Sequence, residues 1–561
     1  MVRRVALLVS LAGALLGWSP APVAAQAAAP PAVQAVPIDT AAIDKIFARW
    51  DRSGSPGCAV GISERGQVVY TKGYGMANLE YGVRIWPSTV FESGSVAKQF
   101  TAAAINLLAQ DGKLSIDDPV RKYVPELPDF GSPILIRHVL NHTSGLRCQW
   151  PMLVLAGRPP GMAVHTVEEI LELASRSKEL NFKPGEEFLY NSTAFTLLGV
   201  IVARVSGTSL SQFCLERLFG PLGMARTQWR EDFTAIVPNR ATAYHLMPDG
   251  TVRANMPFTN VIGNGGLLTT VGDLLLWNDH LDRPRVGGQD LVDRLQTRGR
   301  LNDGFENEYA QGLYVTTYRG TREISHGGTT GGYSAFLGRF PDEALSVAIL
   351  CNTAGANPSA YAHQIADILL ARTLKAIPVV RAVAVPPEVL ERLAGVYRES
   401  STDAVLRLVW DAKARVLRAG GQPLVPTGPG EMYTQDGARR FSTGRGWPEN
   451  FVLGPLVEPI AHAKPRQWDL QRPFTPGAEQ LAEFAGDYTS EELGVTYTIS
   501  VAGASLGVRF RPAKRFTLEP VFKDAFEVDG HTFRFTRSPG GAVDGLRIYA
   551  GRARHVRFVR R

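Results

Sequence analysis

Strand patterns occur at both ends of the segment 38–377, and mostly helical patterns lie between them. The first strand pair turns at Arg65-Gly66, and the second turns at Pro341-Asp342. Apolar residues at helical spacing lie before the first pair, after the second pair, and at 101–110, 136–141, 167–175 and 193–205. We therefore predict one α/β domain whose sheet is assembled from both ends of the segment, with a helical part beside it.

The pattern changes after Pro387, where helical periodicity nearly disappears and short alternating strands with Gly and Pro turns take its place. Two segments there begin alike, LERLAGVYRES and LAEFAGDYTSE, and each carries Ala-Gly-x-Tyr before several short strands. The two tyrosines, Tyr397 and Tyr488, lie about ninety residues apart. This internal repeat predicts two related small β domains, at 388–470 and 478–561.

The first residues, MVRRVALLVSLAGALLGWSPAPVAAQA, are typical of an export signal. Two arginines precede an apolar segment that is too short to span a bilayer comfortably, and small residues follow at a cleavage site near Ala25 or Ala27. An uncleaved anchor is the alternative. We predict a signal peptide at 1–27 and a Pro/Ala linker at 28–37, so that the mature chain has no transmembrane segment and is periplasmic or secreted.

Composition restricts the partners and cofactors of the chain. The net charge is +7 over 561 residues and no block of like charge occurs, so nothing indicates nucleic-acid binding. The four cysteines, Cys58, Cys148, Cys214 and Cys351, are far apart and lack the pairing of zinc ligands. An oxidising compartment permits a disulfide without identifying its cysteines, and we expect four buried free thiols.

A serine and a lysine stand three residues apart in Ser95-Val96-Ala97-Lys98, just before an apolar run with helical spacing that ends at Gly112. On a helix, this spacing places Lys98 one turn after Ser95 on the same face. A neutral lysine there can accept the serine proton and make the hydroxyl a nucleophile. An isolated match of this kind is usually a helix cap followed by an exposed lysine, so further partners decide between the two.

Two later segments contain such partners. Tyr190 directly precedes a helical pattern, where its phenol can reach the serine proton and Ser192 can hydrogen-bond the substrate. His326-Gly327-Gly328 lies on a predicted strand before a Gly-rich turn, where the backbone can approach a ligand and donate an N–H to an oxyanion. Taken singly, the two segments also fit a core aromatic residue and a hairpin with a surface histidine.

The order Ser-x-x-Lys, Tyr-x-x and His-Gly-Gly resembles that of the penicillin-recognising serine hydrolases. These comprise class C β-lactamases, low-molecular-weight penicillin-binding proteins, D-aminopeptidases and related esterases. The blocks IRHVLNHTSGL, LLGVIVARVSG and GNGGLLTTVGDLLLW also look like that family, so the resemblance covers about residues 38–375. It implies a β-lactamase-like α/β (α+β) domain with an antiparallel sheet flanked by helices and a helical subdomain.

The resemblance also implies a role for each residue of the motifs. Ser95 is the acylated nucleophile, Lys98 is the base that deprotonates it, and Tyr190 relays a proton to the leaving group. The backbone N–H groups of Ser95 and Thr329 would form the oxyanion hole. No cofactor and no metal is implied.

The third and middle motifs refine the expected substrate. His326 and Gly328 fit the His-Gly-Gly form found in D-aminopeptidase-like and esterase-like members. The middle motif is usually Tyr-x-Asn, and here Ser192 replaces the amide that contacts the substrate. Neither Lys-Thr-Gly nor Ser-Asp-Asn occurs in the chain. These departures favour small amides, peptides or esters over β-lactams as substrates.

A catalytic domain followed by two small antiparallel, lipocalin-like barrels is similar to the architecture of bacterial D-aminopeptidases, in which a barrel loop can restrict the substrates. The resemblance therefore implies a serine hydrolase that acts on small molecules or short peptides, including those with D-amino acids, as a D-aminopeptidase or D,D-peptidase does. A carboxylesterase on the same fold and a catalytically weak binder of cell-wall fragments are the alternatives. The oligomeric state stays open.

Two further patterns have structural explanations. His138 and His142 lack the glutamate of a zinc motif, so we expect them to pack in the interior or at a helix end. The arginines from Arg552 to Arg561 alternate with apolar residues, and we expect them on the outer face of a final strand.

Overall fold

The computed structural model describes residues 38–376, 381–428, 430–435, 440–442, 467–511 and 514–561. The predicted signal peptide and linker, residues 1–37, lie outside the described residues. The helices of the α/β domain are α1 Thr40–Phe47, α2 Lys98–Gln110, α3 Ile136–Leu140, α4 Gln149–Leu155, α5 Val167–Ser175, α6 Ser192–Ser206, α7 Leu210–Cys214, α8 Gly220–Leu222, α9 Val271–Asp282, α10 Gly288–Gln296 and α11 Pro358–Leu369. Its strands are β1 Cys58–Glu64, β2 Gln67–Tyr74, β3 Met76–Asn78, β4 Val83–Arg84, β5 Phe91–Glu92, β6 Gln228–Trp229, β7 Tyr244–Leu246, β8 Val252–Ala254, β9 Leu267–Thr269, β10 Tyr314–Tyr318, β11 Thr321–Thr330, β12 Tyr333–Phe340 and β13 Leu345–Cys351.

A six-stranded antiparallel sheet forms the centre of the α/β domain, in the order β10-β11-β12-β13-β1-β2. β1 and β2 come from the beginning of the domain and β10 to β13 from its end, so the pairing of β1 with β13 joins the two ends. Nearly all residues of β1 and β13 are buried, and α9 packs against both strands while α11 packs against β12 and β13. The prediction of a sheet assembled from both ends of the segment is confirmed.

Cys58 and Cys351 stand directly opposite each other in the β1–β13 pair and form a disulfide. The expectation of four free thiols is therefore wrong for these two cysteines. They lie 293 residues apart in the sequence, and only the meeting of the two ends of the domain in one sheet brings them together. Cys148 and Cys214 are buried free thiols, as expected.

The helical part packs on α2, whose residues from Lys98 to Leu108 are buried. The Phe100 ring contacts Trp277 of α9 and Phe219, with ring centroids 4.6 and 5.6 Å apart. The four predicted helical segments correspond to α2, α3, α5 and α6 and are confirmed. Among the described residues, no single helix is both long and apolar enough to cross a membrane, and α6 reaches that length and composition only together with the bent continuation Leu210–Leu222.

Two antiparallel β domains follow the α/β domain. The first contains α12 Pro387–Glu391, β14 Gly395–Glu399, β15 Val405–Asp411, β16 Val416–Ala419, β17 Gln422–Gly428, β18 Glu431–Thr434, β19 Arg440–Ser442 and β20 Trp468–Gln471. The second contains α13 Ala478–Ala482, β21 Gly486–Ser490, β22 Val495–Ala502, β23 Ser505–Arg511, β24 Lys514–Phe522, β25 Ala525–Val528, β26 His531–Arg537, β27 Val543–Ala550 and β28 Ala553–Arg560. β21 to β28 form a closed barrel, whereas the described strands of the first domain form a seven-stranded half-barrel.

The repeated tyrosines make the same contact in both β domains. The Tyr397 hydroxyl donates to the carbonyl of Leu393 at 2.8 Å, and the Tyr488 hydroxyl donates to the carbonyl of Phe484 at 2.9 Å. In each domain the hydrogen bond joins the first strand to the residue two positions after the short helix that precedes it. The prediction of two related β domains is confirmed, and the second is the fully closed barrel.

The closed barrel packs directly on the α/β domain. Met152, Leu155 and Ala156, in and just after α4, share one apolar cluster with the barrel interior. The Tyr497 hydroxyl donates to the carbonyl of Leu155 at 2.6 Å. The side chain of Arg147 is almost fully buried and pairs with Glu492 of the barrel. Residues Asp39 to Arg561 therefore form one compact unit.

Candidate active site

Ser95 lies in a 3-10 turn, Gly94–Ala97, where the short strand β5 passes into α2. Gly94 has a φ of +53°, and a Cβ there would lie 2.6 Å from the backbone nitrogen of Thr329, so the turn requires glycine. Ser95 is partly exposed, whereas the residues on both sides of it are buried. The turn therefore leaves Ser95 accessible while its immediate neighbours in the chain are buried.

Lys98 is the first residue of α2 and has no exposed surface. Its Nζ donates to Ser95 Oγ at 3.0 Å and to the carbonyl of Asn264 at 2.5 Å. Burial lowers the pKa of Lys98 well below its usual value, and the positive charge of Arg552 lowers it further. A neutral lysine beside a serine hydroxyl can accept the hydroxyl proton.

The position of the Asn264 carbonyl depends on a chain of buried side chains. Asn264 Nδ2 donates to Thr196 Oγ1 at 2.8 Å, and Thr196 Oγ1 donates to Gln149 Oε1 at 3.0 Å. Thr196 lies on α6 and Gln149 on α4, so two helices hold the acceptor of Lys98. Sequence patterns did not single out these three residues, because none of them belongs to a motif that carries chemistry.

Tyr190 lies two residues before α6, and Lys98 Nζ stands 4.9 Å from the centroid of its ring. Its hydroxyl is buried and makes no hydrogen bond of normal geometry within the described part of the chain. Burial raises the pKa of Tyr190, although the nearby Ser95 hydroxyl and the charge of Arg552 act in the opposite direction. Tyr190 is therefore protonated at neutral pH and able to donate its proton.

Ser192 is the first residue of α6, which the Asn191 side chain caps by accepting from the backbone N–H of Ala194 at 3.0 Å. Ser192 is 4% exposed and lines the same cavity as Ser95. The short serine side chain thus occupies the place where the resemblance led us to expect an amide.

The ring of His326, on β11, is buried behind Tyr190 rather than at the cavity wall. Its Nδ1 lies 2.5 Å from the carbonyl of Gly327, and its Nε2 lies 3.2 Å from the Tyr309 hydroxyl. A carbonyl only accepts, so Nδ1 carries the proton and Nε2 accepts from Tyr309. Burial and the nearby Lys98 lower the pKa of His326 to about 3, so the ring is neutral.

His142 belongs to the same buried aromatic cluster. Its ring centroid lies 4.3 Å from that of Tyr190 and 4.5 Å from that of Tyr309. Its Nδ1 accepts from the backbone N–H of Asn191 at 3.2 Å, next to Tyr190 in the chain. His142 therefore packs in the interior behind Tyr190, as predicted. Its hydrogen bond to Asn191 orients the segment that carries this tyrosine.

Gly328 and Thr329 bring β11 against the turn that holds Ser95. A Cβ at Gly328 would lie 2.0 Å from the carbonyl oxygen of Ser93 and 2.9 Å from the backbone nitrogen of Ser95. Thr329 and Ser95 both line the cavity. The absence of a side chain at Gly328 therefore lets the two backbone segments meet at the cavity floor, where a substrate carbonyl can approach both.

A cavity of about 450 Å³ opens above Ser95. Trp150, His165 and Phe258 are among the residues that line it, as are Thr330, the last residue of β11, and Gly331 directly after it. No group of three His, Cys, Asp or Glu side chains among the described residues is placed as metal ligands would be. Its volume lies within the range of small-molecule sites in proteins.

Arg552 of the closed barrel also lines this cavity, in the turn between β27 and β28. Its guanidinium carbon stands 5.8 Å from the centroid of the Tyr190 ring. The expectation that the arginines from Arg552 onward face outward is wrong for Arg552 and for Arg554, which is 2% exposed and pairs with Glu187 at 2.9 Å. The alternation of apolar residues is real, but the α/β domain covers the beginning of this strand.

Residues 42–372 match the family model described as beta-lactamase, and the chain belongs to this family of penicillin-recognising serine hydrolases. The D-aminopeptidase of Brucella canis is 29% identical over 303 residues, which cover 54% of this chain and 57% of that protein. The D-aminopeptidase of Brucella anthropi is 30% identical over 318 residues, which cover 56% and 59%. The chain thus spans little more than half the length of these curated relatives.

Solved structures show the same fold. An octameric penicillin-binding protein homologue from Pyrococcus abyssi aligns with a TM-score of 0.54 at 21% identity, over 93% of this chain and all of that one. A D-amino acid amidase from Ochrobactrum anthropi SV3 aligns with a TM-score of 0.50 at 21% identity, over 59% of this chain and 98% of that one. The predicted family and fold class are confirmed.

Gly328→Ala should disable the site while Gly327→Ala leaves it intact. The new Cβ at 328 would overlap the carbonyl of Ser93 and displace the Ser95 turn, whereas a Cβ at 327 would meet only the Ala335 carbonyl at 3.8 Å. A shift of about 1 Å costs on the order of 100-fold in rate, so we expect that loss in covalent labelling of Ser95 by a fluorophosphonate in the first variant only. Equal labelling of both variants would contradict the close approach.

Lys98→Met should stabilise the protein at neutral pH, and the gain should shrink as the pH rises. Folded protein holds Lys98 neutral, whereas the unfolded chain protonates it below a pKa of about 10.4, so the unfolded state binds the extra proton. The wild-type free energy of unfolding should therefore rise relative to the variant by about 1.4 kcal/mol per pH unit.

Urea unfolding of both proteins between pH 6 and pH 9 measures this slope. Lys113→Met, at an exposed position, is the control and should leave the pH dependence unchanged. A Lys98→Met difference that does not vary with pH would mean that Lys98 is protonated in the folded protein.

Proposed function

We propose that this chain is a serine hydrolase that forms an acyl-enzyme on Ser95 and cleaves small amides or short peptides, including those with D-amino acids. The observation that carries the proposal is the 3.0 Å contact between Ser95 Oγ and the Nζ of a fully buried Lys98. An exposed helix-cap lysine would keep its proton and could not act as a base at neutral pH. Burial lowers the pKa of Lys98, so that the amine is neutral and can accept a proton.

In the proposed acylation step, Ser95 Oγ attacks the substrate carbonyl carbon while Lys98 Nζ accepts the hydroxyl proton. The negative charge that develops on the carbonyl oxygen is stabilised by the backbone N–H groups of Ser95 and Thr329. The C–N bond then breaks, and the departing nitrogen takes the proton of Tyr190, which regains one from Lys98. The shifted pKa values set the starting protonation states, because a lowered pKa leaves Lys98 neutral and a raised pKa keeps Tyr190 protonated. They also favour the return of the proton from the lysine ammonium to the tyrosinate.

The acyl-enzyme is then hydrolysed by water. A water molecule attacks the ester carbon, gives its proton to the same pair of groups, and Ser95 leaves with a proton to restore its hydroxyl. Ser192 and His326 have supporting parts in this proposal: Ser192 contacts the bound substrate from the start of α6, and the neutral ring of His326 keeps Tyr309 and Tyr190 in place.

The substrate class rests on relatives and on the shape of the cavity. The curated relatives are D-aminopeptidases, and one solved structure with this fold is a D-amino acid amidase. The cavity of about 450 Å³ is bounded by the closed barrel on the side of Arg552, which favours short substrates over long polymers.

Ser95→Ala should abolish acylation and turnover. We expect a fluorophosphonate to add one label per chain at the Ser95 peptide of the wild-type protein and none at that peptide of the variant. A panel of D- and L-amino-acid anilides, short peptides and chromogenic esters should be hydrolysed by the wild type with a loss of at least about 1,000-fold in the variant. Ser88→Ala, at an exposed position, is the matched control.

The same panel separates the alternatives. Turnover of esters alone would replace the amidase proposal with a carboxylesterase. No labelling and no difference between wild type and Ser95→Ala would refute the enzyme and favour a binder of cell-wall fragments. Label that persists on the same peptide of the variant would refute Ser95 as the nucleophile.

We also propose that the chain is exported to the periplasm or secreted. The N-terminal pattern of residues 1–27 supports this, and so does the Cys58–Cys351 disulfide, because disulfides persist in oxidising compartments. When the full chain is expressed in a Gram-negative host, its mature form should appear in the periplasmic fraction, with these two cysteines resistant to alkylation until they are reduced. A variant without residues 2–27 should stay in the cytoplasm. Equal distribution of the two proteins would refute the export signal.

A further inference from the structure

The described residues that line the cavity above Ser95 include one positively charged side chain and no negatively charged one. Arg552 is its one permanently charged side chain, and no Asp or Glu is among the described residues that line it. Lys98 lies beneath Ser95, has no exposed surface and is held neutral by burial. A substrate ammonium would therefore meet a guanidinium and find no carboxylate in the wall to pair with.

The main chain at Arg552 is firmly anchored to the α/β domain. The Arg552 carbonyl accepts from the backbone N–H of Cys148 and from Asn181 Nδ2, each at 3.1 Å. Asn181 Oδ1 in turn accepts from the backbone N–H of Arg554 at 2.8 Å. These hydrogen bonds use only the backbone of Arg552, and its guanidinium takes part in none of them.

The Arg552 guanidinium makes no hydrogen bond and no ion pair with any described residue. By contrast, the neighbouring arginines of this interface are paired, Arg554 with Glu187 and Arg547 with Glu179. A half-buried guanidinium with free donors, held over the Tyr190 ring beside a nucleophile, is a site for a planar anion such as a carboxylate.

We propose that Arg552 is a specificity-determining residue that binds a carboxylate of the substrate close to the scissile bond. This inference rests on the proposed function of Ser95 and narrows it to acidic substrates, as opposed to substrates with a free amino group beside the scissile bond. The carboxylate belongs either to the leaving group, on the side of Tyr190, or to the acyl group. The selecting group thus comes from the barrel, and the reacting groups come from the α/β domain.

Two matched pairs of substrates test the proposal and locate the carboxylate. N-acetyl-D-alanyl-D-alanine and its C-terminal amide differ only in a leaving-group carboxylate. The anilides of N-succinyl-D-alanine and N-acetyl-D-alanine differ in a carboxylate on the acyl side. The wild type should prefer the acid in at least one pair, and Arg552→Gln should reduce that kcat/KM ratio by about 10- to 100-fold. The ratio is informative because both members of a pair use the same Ser95, Lys98 and Tyr190.

Two further variants separate charge recognition from structural effects. Arg552→Lys keeps the positive charge but cannot form bidentate hydrogen bonds with a carboxylate, so it should retain part of the preference for the acid. Arg557→Gln removes an exposed arginine from β28, the strand that follows Arg552, and should leave the preference unchanged. The melting temperature should be the same in Arg552→Gln and the wild type, because the backbone contacts of the turn remain.

A binding measurement keeps the result independent of turnover. Calorimetry on the full chain should show that N-acetyl-D-alanine binds at least about 10-fold more tightly than its amide, and that Arg552→Gln removes the difference. Equal binding and equal turnover of acids and amides by the wild type would overturn the role of Arg552, as would a preference that survives in Arg552→Gln. If Ser95 takes no label while the acid still binds through Arg552, the proposed hydrolase fails and carboxylate recognition stands.

Discussion

Lys98 is buried without a carboxylate partner among the described residues, and the arrangement of the site follows from that constraint. Burying a charged ammonium costs several kcal/mol, so the lysine is neutral in the folded protein. Its two hydrogen bonds then connect Ser95 to the carbonyl of Asn264, which α4 and α6 hold through Gln149 and Thr196. The helical part thus encloses Lys98 as well as supporting the fold.

The closed barrel is part of the cavity and changes its electrostatics. Arg552 reaches the site because the turn between β27 and β28 hydrogen-bonds to Cys148 and Asn181. Its charge lowers the pKa of both Lys98 and Tyr190. One side chain of the closed barrel therefore shifts the pKa values of two side chains of the α/β domain, and its guanidinium faces the cavity without a hydrogen-bond partner among the described residues. The α/β domain alone would have neither this shift of the two pKa values nor the guanidinium at the cavity.

Sequence patterns predicted most of what the α/β domain contains. The serine and lysine of the first motif, Tyr190, and the glycines of β11 are recognisable because their spacing and order carry the chemistry. The buried network of Gln149, Thr196 and Asn264 was missed, since isolated polar residues in helices such as α4 and α6, or in a loop before a strand, give no periodic signal. The prediction that Arg552 faces solvent was wrong for a related reason. Alternation along a strand shows which residues face the barrel interior, but it does not show which part of the barrel exterior is covered by another domain.

The sequence by itself determined the family, the order of the domains and the identity of the groups beside Ser95, because these depend on local spacing and motif order. Only the tertiary structure decided that Cys58 meets Cys351, that the ring of His326 lies behind Tyr190, and that Arg552 enters the cavity. The physical reason is the same in each case. These contacts join residues far apart in the chain, and the packing of the sheet and the barrel decides which distant surfaces meet.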